Sequence, residues 1–424
     1  MQYLDQFKGL PRQIYLICIC RIIMGIGNMT YAFSSLILRS ILGLTEVKVA
    51  WVMLAMALCT IAGQLFGGHL ADLYGRKKVC VTAFALQISV HLISIFLCRH
   101  RIMILLMILA SFFSAIGNPV FSAMVSDSMD PRRPRECFSL MYLSNNVGVA
   151  IGPAIGGLIF YSHMEWTYLI QSVLVGAGIT FFAFNVSENY NRKAALQKAA
   201  EERALKEGRD ISSAPAGTRL PQAPEKEQSL LSVINEHKLL RTFILALATV
   251  SICYQMTNYM LSMQTTDLFG LEVSSRYSGF VWTTNGIVIV LCTPFLLSMT
   301  RKNHHFVNMA IGTCLYALGY GSYSFMKFPF MVVIGAVIWT LGEILISTGA
   351  GSFIAANSPP SHVARCQSLY EIARSVGRAV GPLFFGYLLT YTSYNTAWRV
   401  NSCICLLVSL WVITSWRRAG KPQS

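Results

Sequence analysis

One stretch of this sequence occurs twice, once in each half. Gly148-Val-Ala-Ile-Gly152-Pro153-Ala-Ile-Gly156-Gly157 is matched by Gly377-Arg-Ala-Val-Gly381-Pro382-Leu-Phe-Phe-Gly386. The match runs upstream at the same offset, with Cys137-Phe-Ser139-Leu140 falling on Cys366-Gln-Ser368-Leu369. A chance Gly-Pro coincidence would not extend so far, so one half of the chain reads as a copy of the other. Gly148, Gly152 and Gly156 recur every four residues and make a flat seam on which a neighbouring helix can come close. Pro153 removes one helical hydrogen bond and bends the segment; Gly377, Gly381 and Pro382 repeat the device. Two equivalent halves buried in a membrane are what such a repeat implies.

Composition agrees. A chain of 424 residues that is 54% hydrophobic and 12% charged is too apolar for soluble domains. Apolar stretches of about 20 residues, enough to cross a bilayer as helix, begin near Gln13, Val47, Val79, Ile102, Cys137 and Glu165, then near Leu240, Arg276, His305, Pro329, Cys366 and Ala397. The expectation is an all-α polytopic membrane protein of twelve transmembrane helices in two pseudo-symmetric six-helix bundles, residues 1–185 and 239–424. Between them, 186–238 reads as a linker, charged and alanine-rich from Arg192 to Gly208 and then Ser/Ala/Pro/Gly-rich through Pro224.

The net charge of +15 is a matter of topology. When the loops are assigned alternately to two faces, most of the 34 Lys and Arg fall on the side of the N-terminus. The positive-inside rule then puts both termini and the linker in the cytoplasm of a plasma (inner) membrane protein, and no nucleic-acid surface is needed. The 12 cysteines are scattered through the apolar segments without metal or redox spacing. No Walker sequence, zinc-protease helix, GxSxG elbow or dinucleotide fingerprint occurs. These patterns point away from an enzyme, a metal or a cofactor and toward secondary transport driven by a proton gradient or by the substrate's own gradient.

Between the second and third apolar segments stands Gly68-His-Leu-Ala-Asp72-Leu-Tyr-Gly75-Arg76-Lys-Lys78. It resembles the loop motif of the major facilitator superfamily position for position. The resemblance implies that Gly68 lets span 2 approach span 11, that Asp72 latches the cytoplasmic gate, and that Gly75 and Arg76 complete the motif, with Arg76 in its charge cluster. An anion near a helix N-terminus gains about 0.3–1 kcal/mol, which fits a latch of this kind. Gly148, Gly152, Pro153, Gly156 and Gly157 resemble the span-5 motif of the superfamily's drug:proton antiporters, although packing alone would explain their copy in span 11. Two departures stand against that branch. Phe113 occupies the place, four residues before Gly117, where those exporters carry an intramembrane arginine, and span 1 offers Arg21 in place of an acidic residue. The family implies a monomer in the lipid bilayer.

An ionisable group deep in a span is unfavourable by about 2.5–3.5 kcal/mol, so the few that occur are candidates for function. They are Arg21, Glu343, Glu371, Arg374 and Arg378. The last three are spaced three and four apart and share one stripe of span 11. Glu371 can equally be the structural ion-pair partner of Arg374. Glu343, with Trp339 and Ser347 on its face, is the best candidate for a carboxyl that takes up and releases a proton, and Glu371 is the second. A substrate cavity can draw on Asn28, Tyr31, Asn118, Tyr142 and Asn145 from the first half. The second half contributes Tyr254, Asn258, Trp282, Asn285 and Trp339, besides the arginines. Three readings follow: proton-coupled efflux of small amphipathic molecules, transport of an anionic metabolite or lipid-linked head group, and a transporter-like sensor that binds without carrying.

Overall fold

A computed structural model describes residues 7–129, 133–187, 238–300, 302–357 and 363–418. The linker expected at 186–238 lies almost wholly outside them. The described chain is helical throughout, with no strand. In order the helices are α1 (Arg12–Ile41), α2 (Glu46–Tyr74), α3 (Arg76–Leu97), α4 (Met103–Ser128), α5 (Pro134–Ile159) and α6 (Met164–Asn185), then α7 (Lys238–Phe269), α8 (Leu271–Met299), α9 (His305–Ser322), α10 (Met331–Asn357), α11 (Val363–Tyr391) and α12 (Tyr394–Arg418). α1 breaks at Asn28–Met29 and resumes through a tighter turn at Thr30–Phe33, while α7 widens into a π-turn at Thr257–Leu261.

Among the described residues nine of these helices are long and apolar enough to cross a membrane. α5, α9 and α11 fall short, which differs from the twelve spans read from the sequence. α5 is diluted by Asn145, Asn146 and its glycines, and α11 by Glu371, Arg374 and Arg378. Two of the three are therefore the helices that carry the repeated Gly-Pro stretch.

The packing repeats with the sequence. α1 lies on α5 and α6, α2 on α4, and α3 on α4 and α6; six helices later, α7 lies on α11 and α12, α8 on α10, and α9 on α10 and α12. Between the two sets, α5 packs on α8 and α2 on α11. The glycine seams explain the closeness. A Cβ on Gly148 would come 2.7 Å from the Gly25 Cα and 2.8 Å from the Ile22 carbonyl oxygen, so α1 and α5 meet backbone to backbone. In the second set a Cβ on Gly381 would stand 2.9 Å from the Ile252 carbonyl oxygen, the same contact between α7 and α11.

We call the end at which α1 starts the terminal face and the opposite end the far face. The contacts between the two sets lie toward the far face. Gly157 of α5 would place a Cβ 2.8 Å from the Ser275 carbonyl oxygen of α8, and Gly386 of α11 would place one 3.0 Å from the Ala50 Cβ of α2. Toward the terminal face Ile61 and Gln64 of α2 and Ser375 and Arg378 of α11 line a shared volume. Among the described residues a Cβ on Gly68 would meet nothing within 4 Å, so the close contact with span 11 expected for Gly68 does not occur among them.

The difference between Gly148 and Gly68 is measurable. Gly148→Val must push α1 from α5 and is expected to lower stability by about 1–3 kcal/mol, whereas Gly68→Ala is expected to leave it unchanged or slightly raised. Thermal unfolding of the detergent-purified variants checks both, and a Gly148→Val protein as stable as the parent would contradict the seam.

Candidate functional site

A cavity of about 370 Å³ opens among α1, α2, α3, α4, α6 and α11. Asn28 and Tyr31 enter from the break in α1, Gln64 from α2, Gln87 and His91 from α3, Asn118 from α4, Gln171 from α6 and Arg378 from α11. Met56, Leu106, Met107 and Ala110 form an apolar wall. A second volume of about 170 Å³ shares Tyr31, Gln64 and Arg378 and continues to Gln255 and Asn258 of α7, so the two run together between the helix sets. The break in α1 has a partner: the Gln171 side-chain oxygen accepts from the Thr30 amide at 3.0 Å and the Thr30 hydroxyl at 2.8 Å. The Gln171 amide in turn lies 3.2 Å from the His91 ring.

Below this cavity, toward the terminal face, Arg21 spans three helices. Its guanidinium donates to the Asn118 oxygen of α4 at 2.8 Å and the Asn145 oxygen of α5 at 2.7 Å, and it lies over the Phe121 ring at 5.0 Å. The Asn118 amide donates onward to the Ser114 carbonyl oxygen at 2.9 Å. Neutral acceptors thus solvate a cation that has no carboxylate partner among the described ion pairs. A cation absent from α4 itself at Phe113 is thus supplied to α4 from α1, at Asn118 and Phe121.

The second set holds the carboxyl. A Glu343 oxygen on α10 accepts from the Asn285 amide of α8 at 2.7 Å, and Asn285 also donates to the Thr340 hydroxyl at 3.1 Å. Tyr254 of α7 and Arg374 of α11 lie close enough to act on Glu343 electrostatically. Around it the rings pack tightly: Tyr254 meets Trp339 edge-on at 5.8 Å and Trp282 at 6.3 Å, and Tyr320 stacks on Trp339 at 6.0 Å. Trp339 is fully buried and donates to the Tyr323 hydroxyl at 3.0 Å, so it belongs to the packing around Glu343 and does not line the cavity.

The remaining candidates divide. Glu371 is not buried: its side chain is 59% exposed and pairs with Arg374 at 3.4 Å. That geometry fits the reading of Glu371 as the ion-pair partner of Arg374. Tyr142 is exposed. Gly75 ends α2 with φ +93°, a conformation that suits glycine, and lets α3 start at once. Arg76 donates to the Ala123 carbonyl oxygen of α4 at 2.7 Å, which ties the loop to α4. Asp72 stands on α2, and its side chain is outside the described ones. Sequence reasoning missed Gln64, Gln87, His91 and Gln171. Their signal was a polar residue inside an apolar span, with Gln87 and His91 one turn apart.

At the far face, charges and hydrogen bonds complete the closure. Arg39 of α1 pairs with Glu46 of α2 at 2.9 Å and with Asp267 of α7 at 3.2 Å. The Tyr259 hydroxyl donates to the Glu46 carbonyl oxygen at 2.7 Å, and the Ser35 hydroxyl to that of Asn258 at 2.7 Å.

The sequence profile of the Major Facilitator Superfamily matches residues 17–329 and 245–424. The chain belongs to that superfamily. It is 24% identical over 412 residues to an uncharacterized MFS-type transporter of Bacillus subtilis, YttB, covering 95% of this chain and 94% of that one. It is 23% identical to a multi-drug resistance efflux pump PmrA homolog of Lactococcus lactis, covering 88% and 86%. A Na(+), Li(+), K(+)/H(+) antiporter of Planococcus maritimus is 20% identical over 78% of this chain and 80% of its own. Among solved structures, a POT family transporter in complex with a thioalcohol-conjugated peptide superposes with TM-score 0.76 at 14% identity, covering 98% of both chains. That likeness concerns the fold.

The far-face pairs make a testable device. Asp267→Asn removes the charge that ties α7 to Arg39, and an exposed pair is worth at most about 1 kcal/mol. Spin labels at Thr45 and Leu268 are expected to show a new, longer distance population in the variant. An unchanged distance distribution would mean that the pair does not hold this face shut.

Proposed function

We propose that this superfamily member is a proton-coupled exporter of small amphipathic molecules, working by alternating access. In this reading twelve transmembrane helices form two pseudo-symmetric six-helix bundles, 1–185 and 239–424, joined by a linker at 186–238. The pairing of α1 to α6 repeated in α7 to α12 supports it. The bias of Lys and Arg assigns the terminal face to the cytoplasm, so the conformation described is open inward and sealed outward. The relatives named as an efflux pump homolog and a cation/proton antiporter favour export against protons.

The observation that carries the coupling is the seat of Glu343. A deprotonated Glu343 only accepts, as it does from Asn285; a protonated one can still accept there but gains an O–H that needs an acceptor of its own, so the hydrogen bonding around it changes with the proton. Asn285 adjoins Gly286, whose added Cβ would stand 2.5 Å from the Ala150 Cβ, and Thr283 donates to the Ala150 carbonyl oxygen at 2.6 Å. Proton exchange on α10 therefore acts through α8 on the seam that joins the bundles. Gly68, Asp72, Gly75 and Arg76 serve the cytoplasmic gate when it closes, and Arg21 is the fixed cation of the first bundle.

Proteoliposomes holding an imposed pH gradient, monitored by an acridine dye, test this reading. Members of a panel of amphipathic acids, bases and neutral compounds are expected to dissipate the gradient through the parent protein, and at least tenfold more slowly through Glu343→Gln. Dissipation at the parental rate in that variant would remove Glu343 from the coupling. Equilibrium exchange of the same compound should persist in Glu343→Gln, because binding and rocking do not need the proton.

A further inference from the structure

Among the described residues that line the two connected volumes there is no Asp or Glu, while one guanidinium, that of Arg378, borders both. Arg378 has no carboxylate partner in the described ion pairs; its one hydrogen bond is a long contact of 3.4 Å to the Ser375 hydroxyl, one turn away on the same helix. Glu371 is occupied by Arg374, and Glu343 lies off the cavity against Asn285. Arg21 adds a second positive charge behind Asn118, itself a lining residue, with a buried Nε that has no hydrogen-bond partner. A cleft of one charge sign with low-dielectric walls concentrates ligands of the opposite sign.

We propose that the cavity selects small amphipathic organic anions, molecules with one carboxylate-like group on an apolar body. This rests on the reading of the site as a substrate cavity and narrows its cargo. The guanidinium fork of Arg378 matches a carboxylate with two parallel N–H···O bonds. Gln64 and the hydroxyls of Thr60 and Ser111 supply neutral donors around it, and the wall of Met56, Leu106 and Met107 takes the apolar body. A lipophilic cation would enter the same space facing Arg378 with no carboxylate to receive it.

Matched aryl carboxylates and their primary amides, such as salicylate and salicylamide, isolate the charge from the shape. Binding is measured by the ligand-dependent shift in thermal unfolding of the full-length protein in nanodiscs, with tetraphenylphosphonium as the cationic comparator. Carboxylates are expected to bind at least tenfold more tightly than their amides. Arg378→Gln is expected to erase that ratio, Arg378→Lys to retain part of it, and Arg276→Gln, which removes a charge from an exposed pair outside the cavity, to leave it intact. A panel in which no carboxylate exceeds its amide in the parent protein overturns the proposal, as does a ratio unchanged in Arg378→Gln or tighter binding of tetraphenylphosphonium than of any carboxylate. The parent comparison needs no variant to fold. Carboxylate preference without proton-linked flux would sink the exporter reading alone, and proton-driven export of tetraphenylphosphonium without carboxylate preference would sink this one alone.

Discussion

A peptide group facing lipid has no water to bond, so a chain this apolar resolves its backbone inside helices, and helices in hydrocarbon adhere chiefly by close packing. Everything else in the molecule depends on where the backbones are allowed to touch. Gly148 and Gly152 against Gly25 and Ile26, and Gly377 and Gly381 against Ala248 and Ile252, bring backbones together within each set of six helices. The same stretch also faces outward: Gly157 and Gly386, the last glycines of the two copies, meet α8 and α2 of the other set. One repeated sequence thus supplies both the internal seam and the seam between halves. The first runs along the helix, and the second on α5 extends from Gly157 back to Ala150 and Asn146 near the middle of the helix.

Ionisable groups show how the two copies diverged around a common frame. Position 145 in the first copy corresponds to position 374 in the second. Asn145 accepts a hydrogen bond from Arg21, whereas Arg374 acts on Glu343 and pairs with Glu371. The same place on α5 and on α11 therefore answers a cation in one half and a carboxylate in the other. In both halves a neutral asparagine makes the short contact, Asn118 with Arg21 and Asn285 with Glu343. An amide presents either an acceptor or a donor, so it can solvate either sign without adding a charge that would have to be neutralised in turn.

The sequence was most legible where a physical demand repeats. The Gly-Pro stretch carried the duplication and the tight α1–α5 and α7–α11 contacts, and the rarity of charge inside spans carried Arg21, Glu343 and Arg378. It was least legible where position on a helix face decides. Gln87, His91 and Gln171 line the cavity, yet a lone polar residue in an apolar run does not say whether it faces a neighbour, a cavity or lipid. Trp339 and Glu343 share a helical face as the spacing requires, but the tryptophan is consumed by Tyr320, Tyr254 and Tyr323. Glu371 looked buried because its neighbours are apolar, yet its side chain is exposed and paired with Arg374. Gly68 is a different case, since whether it touches α11 is a property of the conformation and not of the residue.

That last point sets a condition on the proposed cycle. Bringing α2 and α11 together at Gly68 while parting them at Ala50 and Gly386 is a rotation about the cavity, and it must undo the Arg39–Asp267 pair and the hydrogen bonds of Tyr259 and Ser35. Exposed ion pairs are worth about 0–1 kcal/mol each, and van der Waals seams lose about a quarter to a half of their contact energy within an ångström of separation. The far-face closure is therefore a sum of small terms that vanish together. A ligand or proton can shift a two-state equilibrium only by its difference in affinity for the two states, and one titrating group contributes about 1.4 kcal/mol per unit of pKa difference. A closure built from strong buried bridges would lie beyond that reach. One built from Arg39, two hydroxyl contacts and a few glycines lies within it, and that is why a single carboxyl on α10, acting through Asn285 on α8, suffices as the switch in this scheme.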